Sequence, residues 1–372
     1  MNSSVKVILL SQVPLPYSKI GSWPTLYKNY LENDHKIDYI VCPEPQELFN
    51  QIKYSFVNFT FISKLKSKLL KQKKTEYFQA LDKVINNHEK YIIQVVDNYG
   101  MIKPLKKYLL SKGILDKCYI QFFYHGYMPY NQINSAQDFY EAVNEIVLLT
   151  NDSYKEYKKQ INVLPSNFSI LPNGIDNKIF KKVTDSQKIN LKQALHLNGK
   201  KVFLWCSNDR PKKGLNLILE VWKNIKERHA NIVLLVIGAE RKEKMDGVIF
   251  LGKIPNNELP KYYQTSDCYL FPTLCQEGFG LSLIEALNCG NYCIASALGG
   301  VPEVLQYGKL GKLIENPHFI PEWVDAINEF LNGKNEIIAF NNELYSMKNW
   351  NTNMNKIIED AKFRLHNNLL NL

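Results

Sequence analysis

The sequence predicts two doubly wound α/β domains in tandem, and three observations carry that reading. Short apolar runs alternate with helix-like stretches along most of the chain, the pattern of a mostly parallel sheet. The alternation restarts after Leu171-Pro172-Asn173-Gly174-Ile175-Asp176, where Asn-Gly behind a proline is turn chemistry. The length of 372 residues is too great for one ordinary core and suits two.

In the first half, strands are expected at Val5 to Leu10, Ile37 to Val41, Val57 to Phe61, Tyr91 to Val96, Tyr119 to Phe123, Ile146 to Leu149 and Ser169 to Leu171. Helices between them include Thr25 to Leu31 and Glu76 to Ile85, whose apolar residues fall three and four apart. After the hinge, strands are expected at Val202 to Cys206, Val233 to Ile237, Val248 to Leu251, Tyr269 to Phe271 and Cys293 to Ala295. The helices there are Leu215 to Arg228, Glu258 to Gln264, Leu281 to Leu287 and Pro302 to Leu305. The tail from Asn351 to Leu370 reads as one polar helix. The expected domains are therefore 1–172, joined by the C-terminal helix of about 351–372, and 173–350.

With 45% hydrophobic and 22% charged residues the chain is globular rather than disordered. No apolar run approaches the ~20 residues that span a bilayer. The opening run is too short for a secretory core, so a cytoplasmic location is expected. Seven cysteines without CxxC spacing support neither a zinc site nor a disulfide framework. The net charge of +10 calls for a polyanionic partner or reflects composition alone. Six lysines concentrate in Phe61 to Lys74, with Phe61, Ile62, Leu65, Leu69 and Leu70 at helical spacing. Such a helix can lie peripherally on anionic lipid, or pack on a core with a solvated lysine face; the pattern fits both.

Ligands of doubly wound sheets sit beyond the carboxyl ends of the strands. In the first half those ends carry Ser11 to Gly21, Asp97-Asn98 and Tyr124-His125-Gly126. In the second they carry Asn208 to Gly214, Gly252-Lys253-Ile254 and Thr273 to Gly280. Cationic groups, glycines and a carboxylate gather there, as a phosphate-bearing ligand requires. The richest stretch is Pro272-Thr273-Leu274-Cys275-Gln276-Glu277-Gly278-Phe279-Gly280-Leu281. A strand ends, glycines let the backbone approach a ligand, and the free N–H groups and dipole of a helix start favour an anion. Glu285 and Ser282 share one face of that apolar helix, and a buried carboxylate there needs a partner, such as sugar or ribose hydroxyls. Solvent can serve Glu285, and equally Glu277, in a purely structural role.

These residues resemble retaining glycosyltransferase family 4, which has the GT-B fold. Glu277 and Glu285 form its E-x7-E signature, and Phe271-Pro272-Thr273 with Glu277-Gly278-Phe279-Gly280 is similar to its pre-helix loop. Cys289-Gly290 with Ala295 to Glu303 resembles its next strand and glycine turn, and Leu171 to Asp176 with Phe180 its interdomain segment. Lys213-Gly214 looks like its basic loop, and Gly252 with Glu258-Leu259 and Tyr262-Tyr263 like its base-binding strand exit. In the first half, Gly21-Ser22 occupies the place of a paired-glycine loop, His125 resembles a histidine that approaches the donor sugar, and Trp350 resembles the tryptophan before the last helix. Two positions depart: Asn208 stands where the family has an arginine, with Arg210 two residues on, and Tyr292 replaces a proline.

The resemblance implies a GT-B fold, two Rossmann-like domains facing across a cleft, and transfer of a sugar from a nucleotide sugar such as a UDP- or GDP-sugar. It implies retention of anomeric configuration and a glycan or lipid-linked acceptor, as in bacterial surface polysaccharide or glycoconjugate assembly. No Asp-x-Asp occurs, so no metal is expected, and no cofactor beyond the nucleotide sugar. The roles implied are catalytic for Glu277, His125, Lys213 and Arg210. Donor binding falls to Gly21, Ser22, Asn173, Lys253, Ile254, Gly278, Phe279, Gly280, Leu281 and Glu285. Asp97 and Asn98 are candidates for the acceptor side. A nucleotide-sugar 2-epimerase shares the architecture, but the E-x7-E with its flanking loops argues against it. Nucleic acid is not an expected partner, for no RNP, KH or zinc signature occurs.

Overall fold

A computed structural model describes residues 4–17, 22–59, 74–129, 136–161, 163–164, 166–242, 244–334 and 340–369. The chain divides into two compact units, one made of 1–172 with 347–372 and the other of 173–346.

The first unit runs β1 (Val5–Leu10), α1 (Ser22–Leu31), β2 (Tyr39–Cys42), β3 (Lys53–Phe56), α2 (Thr75–Leu81), β4 (Lys90–Val96), α3 (Tyr99–Ser111), β5 (Cys118–Phe123), α4 (Ala136–Tyr140), β6 (Glu145–Leu148), α5 (Asn151–Gln160) and β7 (Asn167–Ile170). Its seven strands are ordered β3-β2-β1-β4-β5-β6-β7, and every pairing is parallel. Alternate residues of one strand serve opposite faces. Ile8 and Leu10 of β1 pack with α2, α3 and α5, while Val7 and Leu9 pack with α1. Burial on both faces explains why the central strands read as continuous apolar runs.

The second unit contains α6 (Asp185–Ala194), β8 (Lys201–Cys206), α7 (Leu215–Lys226), β9 (Ile232–Ile237), β10 (Val248–Gly252), α8 (Leu259–Thr265), β11 (Cys268–Phe271), α9 (Leu281–Asn288), β12 (Tyr292–Ser296), α10 (Val301–Val304), β13 (Gly311–Ile314) and α11 (Ile320–Leu331). Its sheet is ordered β10-β9-β8-β11-β12-β13, again all parallel. Phe203, Trp205, Leu234, Val236 and Leu270 meet Trp222 of α7 and Trp323 of α11 on one face. Helix α6 buries nothing, and is instead held by its Thr184–Gln187 capping box and by Lys188 and Lys192, which pair with Asp267 at 2.9 and 2.7 Å.

The last helix, α12 (Met347–His366), belongs to the first unit. It is amphipathic rather than wholly polar: Trp350, Met354, Ile358, Ala361 and Leu365 are buried. Trp350 lies inside the helix and meets Tyr27 and Tyr30 edge-on, at 5.7 Å between ring centroids in both cases. A polar ladder runs beneath it. Tyr27 donates to Gln94, Gln94 to Gln121 (3.0 Å) and Gln121 to Glu145 (2.7 Å) across adjacent strands. Arg364 of α12 reaches Glu145 at 3.2 Å, compensating a carboxylate with no exposed surface.

One expected strand is misplaced. The third strand is Lys53–Phe56 and ends before Val57, because the register with β2 pairs Tyr39 with Lys53 and Cys42 with Phe56; residues 60–61 of the expected Val57 to Phe61 lie outside the described residues. As a sheet edge it needs no continuous apolar run, and β-branched Val57 only follows it with one hydrogen bond to Cys42.

Candidate active site

In the second unit the carboxyl ends of neighbouring β8 and β11 bring the basic loop against the glycine-rich loop. After β8 the chain makes a tight turn at Pro211–Lys213 and reaches Gly214 in the left-handed region, φ 71°. A Cβ there would lie 1.8 Å from the Pro272 carbonyl oxygen, so only glycine lets the two loops touch. The Leu274 N–H donates to the Lys212 carbonyl (2.8 Å) and the Trp205 indole to the Lys213 carbonyl (3.2 Å). The backbone of Lys212 and Lys213 is thus held by two hydrogen bonds.

Its side chain meets Glu277. The Lys213 ammonium and the Thr273 hydroxyl (2.9 Å) donate to the same oxygen, Oε1, and the Cys275 thiol stands 3.8 Å away. Both members of the ion pair are largely withdrawn from solvent, at 22% and 16% side-chain exposure, which strengthens the attraction relative to a surface pair. Glu277 is also fixed through its backbone: Gly300 N–H donates to its carbonyl (2.8 Å), and a Cβ on Gly299 would clash there at 2.3 Å.

Gly278 and Phe279 are buried, the latter against Tyr345, and Gly280 at φ 95° turns the chain into α9, whose first residue is Leu281. The first N–H groups of this helix have no partner within it, an arrangement that favours an anion. Glu285 lies one turn on, half-buried and in no ion pair among the described residues. Burial pushes its carboxyl up to about 7, against a smaller opposing pull from the nearby Tyr263 hydroxyl. That hydroxyl is itself buried and makes no hydrogen bond of acceptable geometry.

Other expected donor residues lie elsewhere in the same unit. Lys253 is exposed and Ile254 half-buried, just past β10, where Gly252 at φ 65° leaves room for the Glu240 carboxyl. Asn173 is buried, its Oδ1 without a partner. Arg210 is exposed and joins no ion pair among the described residues. Arg241 is not among the expected residues. It forks onto Asp209 at 2.5 and 3.1 Å, one residue from Asn208. It lies past the carboxyl end of β9, a strand end at which the sequence predicts no ligand residue. Thr273 and Tyr263 are further groups whose place here emerges from the structure; both belong to the sequence motifs, which give them no role of their own.

In the first unit Gly21 lies outside the described residues, as does 61–73 of the basic segment; Ser22 opens α1. Lys74, just before α2, donates to Asn98 Oδ1 at 3.4 Å. Asp97 and His125 come together: one carboxylate oxygen accepts the His125 backbone N–H (2.8 Å), and the other meets ring Nδ1 (3.1 Å). A cavity of about 450 Å³ opens at the other end of the same sheet, beside Cys118 at the start of β5. It is lined by Lys106, Asp116 and Glu141, and no expected site residue borders it.

Comparison with known proteins matches residues 186–347 to the model for "Glycosyl transferases group 1". Lipopolysaccharide 1,2-N-acetylglucosaminetransferase of Salmonella typhimurium is 26% identical over 186 residues, 45% of this chain and 48% of that protein. Phosphatidyl-myo-inositol mannosyltransferase of Mycobacterium tuberculosis is 26% identical over 163 residues, 42% of each chain. The chain thus spans about half the length of these curated relatives, and the segment matched by the family model holds Lys213, Glu277 and Glu285. Among solved structures, Anabaena Alr3699/HepE in complex with UDP superposes with a TM-score of 0.72 at 13% identity, covering 95% of this chain and 100% of that one. No described helix is long and apolar enough to cross a membrane. The two parallel-sheet units are Rossmann-like and share the GT-B fold of the Anabaena protein, and residues 186–347 match the glycosyltransferase group 1 model.

Proposed function

We propose that this protein transfers a sugar, with retention and without a metal, from a nucleoside-diphosphate sugar to a glycan or lipid-linked acceptor. The observation that carries the reading is the Lys213–Glu277 pair at the start of α9, one helical turn from the uncompensated Glu285. In the resting protein Lys213 and Glu277 neutralise each other. When the donor binds, the ammonium turns to the diphosphate and Glu277 is released to accept hydroxyls of the sugar. Glu285 accepts the ribose hydroxyls, and Lys253 and Ile254 flank the base. As the glycosidic bond breaks, charge gathers on the diphosphate, and Lys213, Arg210 and the N–H groups of Gly278 to Leu281 take it up. His125 serves the hydroxyls of the transferred sugar. The leaving phosphate then assists deprotonation of the acceptor on the same face, which accounts for retention without an enzymic nucleophile.

A glycan or lipid-linked acceptor is supported by the names of the two relatives, a lipopolysaccharide N-acetylglucosaminetransferase and a phosphatidyl-myo-inositol mannosyltransferase. Surface polysaccharide or glycoconjugate assembly at the cytoplasmic face of a membrane fits that acceptor. For the base, a further relative is GDP-mannose-dependent while the Anabaena structure holds UDP. Calorimetric titration of UDP, GDP, ADP and dTDP in the presence of chelator decides it. The expected result is tight binding of one nucleotide, weakened about tenfold or more in Glu285→Ala through loss of the charge-assisted ribose contacts. Equal affinity in the variant removes Glu285 from the site.

A further inference from the structure

We infer that Asp97 is a positioning residue that holds His125 in the tautomer with the proton on Nδ1, so that Nε2 is offered as an acceptor to a hydroxyl of the transferred sugar. Two geometric facts carry this. The first is the two-point contact: Asp97 accepts the His125 backbone N–H through Oδ1 at 2.8 Å and faces ring Nδ1 through Oδ2 at 3.1 Å. A carboxylate has only acceptors, so a neutral imidazole facing it must carry its proton on Nδ1. The second is the backbone of Asp97, held at φ 50°, in the left-handed region that side-chain-bearing residues visit at a cost. The Asp97 N–H bonds to the Phe123 carbonyl at 2.9 Å, so this conformation is locked to the strand that delivers His125. The ring is only 14% exposed and cannot turn over without breaking the contact.

Asp97 therefore does for His125 what a carboxylate does for any base it orients: it selects the tautomer and fixes the ring plane. This gives Asp97 a role behind the histidine, apart from the acceptor-side role the sequence suggested for it. The inference rests on the proposed transferase reading only for the identity of what Nε2 meets; the tautomer itself does not.

The test uses the full chain with ring-15N histidine, observed at a pH above the imidazole titration. The chain has seven histidines, so the His125 signal is identified by its loss in His125→Gln. The expected spectrum shows Nδ1 protonated and Nε2 bare. Asp97→Asn keeps the acceptor for the His125 N–H and tolerates positive φ, but turns a donor toward Nδ1. The proton should then move to Nε2, with kcat/KM for donor consumption falling about 10- to 100-fold, as for a buried contact left unmatched, and the unfolding midpoint nearly unchanged. A wild-type spectrum with the proton on Nε2 overturns the inference, and so does a flipped tautomer with unaltered turnover. Should no nucleotide sugar be consumed by the wild type, the transferase reading fails while the spectrum still decides what Asp97 does.

Discussion

Lys213→Ala should lower turnover by roughly 10²- to 10³-fold, the loss that follows removal of one preorganised partner of a charge that develops only in the transition state. The side chain is well placed to meet that charge. Trp205 bonds the Lys213 carbonyl and Leu274 that of the preceding Lys212, and the Lys213 ammonium is paired with Glu277. Stability should change far less, because Glu277 keeps the Thr273 hydroxyl and remains 16% exposed to water. Steady-state donor hydrolysis and a urea titration of the same variant separate the two effects. If turnover is preserved, the cation at the diphosphate is another one. Arg241 is then the first to examine, since it stands beside Asn208, where the arginine is missing.

Glu285→Gln should stabilise the unliganded protein at pH 8, by up to roughly 3 kcal/mol, the free-energy equivalent of raising a carboxyl from its ordinary 4.5 to about 7. The sign follows from burial. The fold favours the protonated acid, so that part of its stability is present in full below pH 4.5 and is lost as the pH rises to about 7. Near pH 4.5 variant and wild type should unfold together; at pH 8 the wild type should unfold first. Nucleotide binding should show the opposite trend, since ribose hydroxyls bond the carboxylate form: affinity rises from pH 5.5 to 8 in the wild type and stays flat in Glu285→Gln. Thermal unfolding across that range, with and without nucleotide, measures both. A wild-type curve parallel to the variant's at every pH would mean that Glu285 finds a partner in solution and is not poised for a ligand.

Much of the fold is legible in the sequence because burial on both faces of a parallel sheet writes itself as apolar runs. β1 is the stretch Val5–Leu10 that the sequence indicates, and β9, all six of whose residues are buried, is one residue longer than expected. The short elements are harder. β13 begins with glycine, carries Lys312, and has four residues, too few for a periodic signal. Helix α11 is absent from the expected elements although its pattern is clear, for Trp323, Ala326, Ile327 and Phe330 fall at i, i+3, i+4 and i+7.

For the site, residue types and strand ends indicate which groups gather, but not how they pair. Asp97 and His125 stand 28 residues apart, and their contact exists because β4 and β5 are adjacent with Val96 beside Phe123. The same register logic puts Gln94, Gln121 and Glu145 side by side, three polar residues that look like interruptions in apolar strands until the strands are aligned. Lys213 and Glu277 are 64 residues apart and meet because β8 and β11 are neighbours. Pairwise contacts of this kind depend on strand order, which local patterns do not encode.

If the Lys213–Glu277 pair at the start of α9 is the working centre of a sugar transfer, nucleoside diphosphate release reports on it without knowledge of the acceptor. The full chain and Glu277→Gln are each given a panel of UDP-, GDP-, ADP- and dTDP-sugars in chelator. Slow release from one donor is expected, persisting without metal and collapsing in the variant. Release equal in both proteins, or release that stops when metal is removed, would rule that centre out.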